Sequence, residues 1–181
     1  MDTMIADLST ILFDECQIRT RIKELGFELS KEYAGKNPVL ICILKGAVTF
    51  LSDLMRYMTI PLEIDFMSIS SYGDSSVSSG IVQIRKDIDI EIKDRHIIIV
   101  EDIIDSGLSL QYIIDYLHKH QPQTIKTCVL LDKPDAHKID IEIDFVGFQI
   151  QNEFVVGFGL DFARKYRNLP FIGVLKEEVY K

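Results

Sequence analysis

The stretch from His96 to Ser109, HIIIVEDIIDSGLS, restricts this chain more than any other. Four β-branched residues, Ile97 to Val100, run without interruption, as in a strand buried on both faces, and then meet two carboxylates, Glu101 and Asp102. A third acid, Asp105, precedes the small-residue turn Ser106-Gly107. A further hydroxyl follows at Ser109, and Leu110, Ile113, Ile114 and Leu117 recur at helical spacing. The pattern predicts a buried strand, a short acidic loop and a helix start. A helix N-terminus carries unpaired N–H donors and partial positive charge, so a loop that brings glycine and hydroxyls there can hold a phosphate. The acids beside it are placed to handle sugar hydroxyls, a metal or a proton. An ordinary strand-to-helix turn capped by Asp105 or Ser106 would use one acid or hydroxyl and leave Glu101 and Asp102 without a role.

The rest of the chain repeats the alternation of strand and helix. Ile18, Ile22, Leu25 and Leu29 recur at helical spacing, and Gly35-Lys36-Asn37-Pro38 closes that helix. Val39 to Leu44 is a continuous apolar strand, and after Lys45-Gly46 a second helix carries Leu51, Leu54, Met55 and Met58 on one face until Pro61. Leu62, Ile64 and Phe66 alternate with Glu63, Asp65 and Met67, which predicts a strand with unequal faces. Residues 70–80, SSYGDSSVSSG, form the most polar and Gly/Ser-rich stretch, a surface hairpin or a mobile lid. Further strands are expected at Ile81 to Ile84 and Thr127 to Leu131. The segment from Ile141 to Leu175, with short apolar runs and few helical signals, suits a small β-rich hood or a sheet edge. The expected fold class is α/β: a mainly parallel twisted sheet flanked by helices, with a small β-rich hood. It is expected to form one domain over 1–181, the hood drawn from the N-terminal residues and about 133–181.

At 181 residues the chain can bury a sizeable core, and two full domains would be cramped. The 20 basic and 28 acidic residues leave a net charge of −8, which disfavours nucleic-acid binding but permits a small anionic substrate held by a local site and a divalent metal. No apolar run is long enough to span a bilayer, and the N-terminus MDTMIADLST lacks a basic region followed by an apolar stretch. A cytoplasmic protein with no membrane partner is therefore expected. Cys16, Cys42 and Cys128, odd in number and widely spaced, are expected to be reduced, mostly buried thiols outside any metal site. The histidines, His96, His118, His120 and His137, match no triad or ligand spacing and are read as structural or surface residues.

VEDIIDSGLS resembles the phosphoribosyl-pyrophosphate motif of the type I phosphoribosyltransferases, which join a nitrogenous base to ribose 5-phosphate. Leu44-Lys45-Gly46 resembles the pyrophosphate loop of that family, in which the bond before the lysine is a non-proline cis peptide. Leu131-Asp132-Lys133, the FVGFQI run from Phe145, Glu153-Phe154-Val155-Val156-Gly157, Leu160-Asp161 and Arg167 resemble the base-binding half of its hypoxanthine-guanine branch. The resemblance extends from about Val39 to Val174. By that likeness, backbone and hydroxyl groups of Ile104, Asp105, Ser106, Gly107, Leu108 and Ser109 anchor the 5′-phosphate, while Glu101 and Asp102 hold the ribose. Leu108 and Ser109 stand where some relatives carry a lysine and a threonine, which keeps the hydroxyl and drops a charge. Lys45, Gly46 and Arg167 meet the pyrophosphate. Asp161 ligates Mg²⁺, with Glu101 and Asp102 as further candidate ligands. Lys133 donates to the purine 6-oxo group, Phe154 stacks on the ring and Val155 offers backbone contacts to the opposite ring edge. Asp105 is the general base, and Ser71 and Tyr72 begin a lid.

The chemistry is consistent with that likeness. A cation recognises a carbonyl oxygen and rejects an amino group, while an aromatic face supplies affinity for a flat heterocycle. The expected reaction is Mg²⁺-dependent transfer of 5-phosphoribosyl from phosphoribosyl pyrophosphate to hypoxanthine or guanine, in a homo-oligomer, a dimer or tetramer. Two other readings stand beside it: an enzyme of the same fold for another base such as xanthine, and a regulator of this fold that senses the donor and binds nucleic acid. The acidic balance and the joint presence of Lys45, Asp105 and Asp161 count against the regulator. No G-x-G-x-x-G follows the first strand, which counts against a dinucleotide enzyme.

Overall fold

Periodicity alone explains most of the elements. The computed structural model describes residues 2–71 and 82–181. After a short helix α1 (Asp2–Ala6) and a strand β1 (Leu8–Phe13), Asp14 opens helix α2 (Glu15–Glu32) with a reciprocal cap. Its carboxylate accepts from the Gln17 N–H at 2.8 Å, and its own N–H donates to the Gln17 side chain at 2.9 Å. Ile18, Ile22, Leu25 and Leu29 are fully buried along one stripe of α2. Then follow β2 (Val39–Leu44), α3 (Val48–Tyr57), β3 (Glu63–Ser71), β4 (Val82–Lys86), β5 (His96–Ile104), α4 (Leu108–His118) and β6 (Thr124–Asp132). A 3₁₀ turn (Pro134–Ala136) leads to β7 (Phe145–Gln149), β8 (Val155–Val156), β9 (Ile172–Leu175) and α5 (Glu177–Tyr180).

The main sheet has the order β4-β3-β2-β5-β6-β7, with β4 antiparallel and the other neighbours parallel. Its central strands are apolar without a break because both of their faces are covered. Leu40, Cys42, Ile98, Val100, Cys128 and Leu130 pack with α2 and α3, while Val39, Ile41, Ile43, Ile97, Ile99 and Val129 pack with Leu110, Ile113 and Leu117 of α4. Arg21 on α2 donates to the carbonyls of Gly147 and Val146 at 3.1 and 2.9 Å, which ties that helix to the edge strand β7. A second, antiparallel sheet, β1-β9-β8, turns Val155, Ile172 and Val174 into the same core as α2 and α3.

One expectation needs correction. The acids Glu101 and Asp102 are not in a loop: β5 continues through Ile104, because β6 extends to Asp132 and keeps the ladder going, with Glu101 opposite Val129 and Ile104 opposite Asp132. The loop is confined to Asp105, Ser106 and Gly107. On β3 the more buried face is that of Asp65 and Met67, while Ile64 is exposed. Burial would raise the Asp65 pKa, but N–H groups of Phe66, Asp89 and Ile90 at 2.6–3.0 Å, and Lys86 at 3.6 Å, hold its carboxyl below the ordinary range. Of the cysteines, Cys42 and Cys128 are buried and Cys16 is exposed, all three free. The residues after Ile141 divide between both expected roles, β7 joining the edge of the main sheet and β8 and β9 the small one.

Candidate active site

In a parallel sheet the crevice for a ligand opens where chain connections leave in opposite directions, outside the carboxyl ends of the strands. Here that point lies between β2 and β5. From β2 the chain moves outward to β3 and β4, and from β5 it moves the other way to β6 and β7. The turn Leu44–Gly46 and the loop Asp105–Gly107 therefore face each other across the crevice, and the Leu44-Lys45 peptide is cis, as the resemblance implied.

Close backbone approach assembles the floor. A Cβ on Gly46 would overlap the Asp102 carboxylate, and one on Gly159 would overlap the Gly46 carbonyl. Only glycine at both positions lets the 157–167 loop lie on the Lys45 turn and that turn lie on Asp102. Arg167 then donates to the Gly159 carbonyl at 2.5 Å and pairs with Asp161 at 2.5 Å. The other Asp161 oxygen accepts from the Arg164 N–H at 2.9 Å. The structure thus pairs with one another the two residues expected to meet metal and pyrophosphate. Lys45 is exposed at the mouth.

Helix α4 begins at Gly107, which is left-handed at φ 79°, and no side chain caps the helix. Neither Asp105 nor Ser106 takes the capping role, so the first-turn N–H groups are not consumed by a side chain. Segment 137–141 closes over this loop: the Lys138 N–H donates to the Ser106 carbonyl at 3.0 Å, and Ile139 and Ile141 pack beside Gly107. His137 bonds Asp132 at 2.7 Å, a buried acid immediately before Lys133. In sequence, 137–142 carries no sharp motif. The alternation Ile139, Ile141, Ile143 was the available signal.

Asp102, Ile103, Asp105, Lys133, Phe154, Val155, Leu160 and Asp161 line one pocket of about 250 Å³. Lys133 is only 7% exposed, and its ammonium donates to Asp105 at 3.4 Å. Phe154 is 37% exposed, with its ring available to the pocket. Ile103 and Leu160, which complete the walls, fall inside the motifs quoted above but carried no role there, since an apolar residue gives no sign in sequence of facing a ligand. Ser71 ends β3, and Tyr72 with the residues to Gly80 lies outside the described residues.

Glu101 and Asp102 share the floor without a cation in contact. Desolvation, and then the neighbouring Asp102, push Glu101 well above the ordinary carboxylate range. Desolvation raises Asp102 to about 6, against the Ile103 N–H and Arg167, which favour its ionised form. One Glu101 oxygen, Oε2, is buried with no hydrogen-bond partner. Among the described residues no three His, Cys, Asp or Glu side chains are gathered as a metal cluster. Mg²⁺ is held through one or two carboxylates plus substrate phosphates and water, so two carboxylates with no cation in direct contact fit that ion.

Among the described residues no helix is long and apolar enough to cross a membrane. Residues 10–163 match the family model of the phosphoribosyl transferase domain. The chain is 51% identical to a hypoxanthine-guanine phosphoribosyltransferase of Streptococcus thermophilus over 174 residues, 96% of this chain and 97% of that one. It is 50% identical to the protein of that name in Bacillus subtilis, covering 97% of each. The crystal structure of a hypoxanthine phosphoribosyltransferase from Staphylococcus aureus superposes with a TM-score of 0.95 at 45% identity, covering 99% of this chain and 97% of that one. Motif, crevice and likeness over nearly the full length agree: the chain belongs to the phosphoribosyltransferase family, among its hypoxanthine-guanine phosphoribosyltransferases.

Proposed function

We infer that this protein works in purine salvage, transferring the 5-phosphoribosyl group of phosphoribosyl pyrophosphate to N9 of hypoxanthine or guanine and releasing pyrophosphate. The observation that carries this reading is a single pocket in which a buried ammonium, a carboxylate and an aromatic face lie together beside the Asp102 floor. Lys133 donates to the purine 6-oxo oxygen. Asp105, its partner at 3.4 Å in the free protein, exchanges that contact for the purine N7 proton as N9 attacks. Phe154 stacks on the ring, and the Val155 backbone meets the opposite edge.

The bond from the anomeric carbon to pyrophosphate breaks as the bond to N9 forms, and positive charge develops on the ribose. Glu101 and Asp102, near the end of β5, hold the ribose hydroxyls and favour that charge. Lys45, the Gly46 backbone and Arg167 bind the departing pyrophosphate. The charge neutralisation that a bound Mg²⁺ supplies to pyrophosphate would be held there by Asp161 with Glu101 and Asp102. Backbone N–H groups from Ile104 to Ser109, with the Ser106 and Ser109 hydroxyls, anchor the 5′-phosphate, a remote contact that positions the reacting carbon. Ser71 and Tyr72 belong to the cover that keeps water from the activated sugar. Free thiols at Cys42 and Cys128 support a reducing, cytoplasmic setting.

The test is a panel of free bases, hypoxanthine, guanine, xanthine and adenine, incubated with donor and Mg²⁺ while nucleotide formation is followed. Nucleotide from hypoxanthine or guanine, with little from adenine, is the expected result. A preference for adenine, or no nucleotide from any base, would overturn the reading.

A further inference from the structure

Phe154 forms the wall between two cavities. One is the pocket of about 250 Å³ that contains Lys133 and Asp105, and the other is an adjoining groove of about 700 Å³ bordered by Ser9, Lys176 and Tyr180. Phe154 precedes a strand of only two residues and is 37% exposed, so its own segment does little to fix the ring. What fixes it comes from elsewhere in the chain. The Tyr180 ring lies against it with centroids 4.8 Å apart and planes 22° from parallel, and Phe162 meets its edge at 5.6 Å and 90°.

Tyr180 is in turn anchored without reference to the pocket. The Lys176 N–H donates to the Asp7 carbonyl at 2.9 Å, and its ammonium to the Ala6 carbonyl at 2.6 Å, which fastens the start of α5 to the end of α1. Val179 and Tyr180 pack on Leu8, Val156, Tyr166 and Leu175. Tyr180 borders the groove and not the base pocket.

We propose that Tyr180 is a positioning residue for purine recognition: by stacking on the groove side of Phe154, it holds that ring with its other face presented to the base. A ring already held in its binding orientation loses no rotational freedom when the purine arrives. Stacked aromatic pairs of this kind are worth about two- to tenfold in an equilibrium. The inference rests on the purine-transfer reading above and adds a residue to it that touches no substrate.

Steady-state kinetics with base and donor varied in turn, on wild type, Tyr180→Ala, Tyr180→Phe and Tyr180→Leu, test it. The expected result for Tyr180→Ala is a base KM raised about three- to tenfold for hypoxanthine and guanine, with kcat and the donor KM within about twofold of wild type. Tyr180→Phe keeps the stack and restores the base KM. Tyr180→Leu fills the space without a π face and stays impaired, which reads the same point if the alanine variant folds poorly. An unchanged base KM in both the alanine and leucine variants, or a Tyr180→Phe protein as impaired as alanine, would overturn the proposal. So would equal rises in base and donor KM, which mark general loosening. A wild-type protein that makes no nucleotide from either base would instead remove the purine reading, and this inference with it.

Discussion

Lys133 and Asp105 touch each other in the free protein, and the proposed reaction gives each its own task once a base binds. Asp105→Asn keeps the shape and loses the proton acceptor, so kcat should fall about 10²–10⁴-fold while donor affinity, measured by equilibrium binding, stays close to wild type. Near-normal turnover would remove Asp105 from the base role. Lys133→Ala leaves the 6-oxo acceptor unpaired in a largely dry pocket, a loss of roughly 1.5–3 kcal/mol. That is about ten- to a hundredfold in kcat/KM for hypoxanthine and guanine alike. Comparable losses for adenine would show that Lys133 supports the fold instead. The floor acids make a third prediction. Asp102 ionises near pH 6 in the folded protein and near 3.8 when free, so between those values the folded state holds a proton that the unfolded chain has shed. Its stabilising contribution is complete below the unfolded value and is lost as pH rises through the folded one. Glu101, shifted in the same direction, adds to that slope. Glu101→Gln should therefore raise the urea midpoint of the free protein at pH 8 and leave it nearly unchanged at pH 4.5. Parallel profiles for variant and wild type would show that the buried pair is not the source.

The elements meet at glycines as much as at side chains. A methyl group at Gly46 has to displace the Asp102 carboxylate, which accepts from the Ile103 N–H at 3.0 Å. Gly46→Ala is expected to cost about 1–3 kcal/mol in thermal unfolding and to raise the donor KM, because turn and strand end can no longer sit together. A donor KM equal to wild type would mean that Asp102 moves aside without consequence. This dependence was hard to see in the chain, where Lys45-Gly46 reads as an ordinary solvated strand end. Its partner Gly159 stands more than a hundred residues away. The element boundaries show the same division. The Val39–Leu44 strand was legible residue by residue because both faces are apolar. The end of β5 runs against its local signal, since acids normally mark a loop and only pairing with β6 keeps these in the ladder.

Both sheets belong to one core. Val155, Ile172 and Val174 of the small sheet pack in the cluster that contains Leu40, Ile98 and the buried stripe of α2. The molecule should consequently unfold in one step. Urea transitions followed by far-UV circular dichroism and by tyrosine fluorescence are expected to coincide, and Ile172→Ala, at a fully buried position, should shift both together by about 2–5 kcal/mol. Separate transitions, with the variant moving only one, would make the small sheet an independent unit.

Taken by itself, the sequence determined the parallel α/β architecture, the three central strands, the amphipathic helices and the phosphate-loop motif, because each is written in neighbouring residues through a period of two or 3.6 or through a short run of restricted chemistry. Folding in three dimensions decided what depends on distant partners. Asp65 lies on the buried face of its strand because a later loop supplies N–H donors to it. Asp161 and Arg167 pair with each other, and Ile139 and Ile141 cover a loop some thirty residues earlier. Phe154 owes its orientation to Tyr180, whose helix is fastened to the other end of the chain. A local pattern records which face of an element is apolar, but contacts like these exist only after chain closure brings remote segments together, and no periodicity records their geometry.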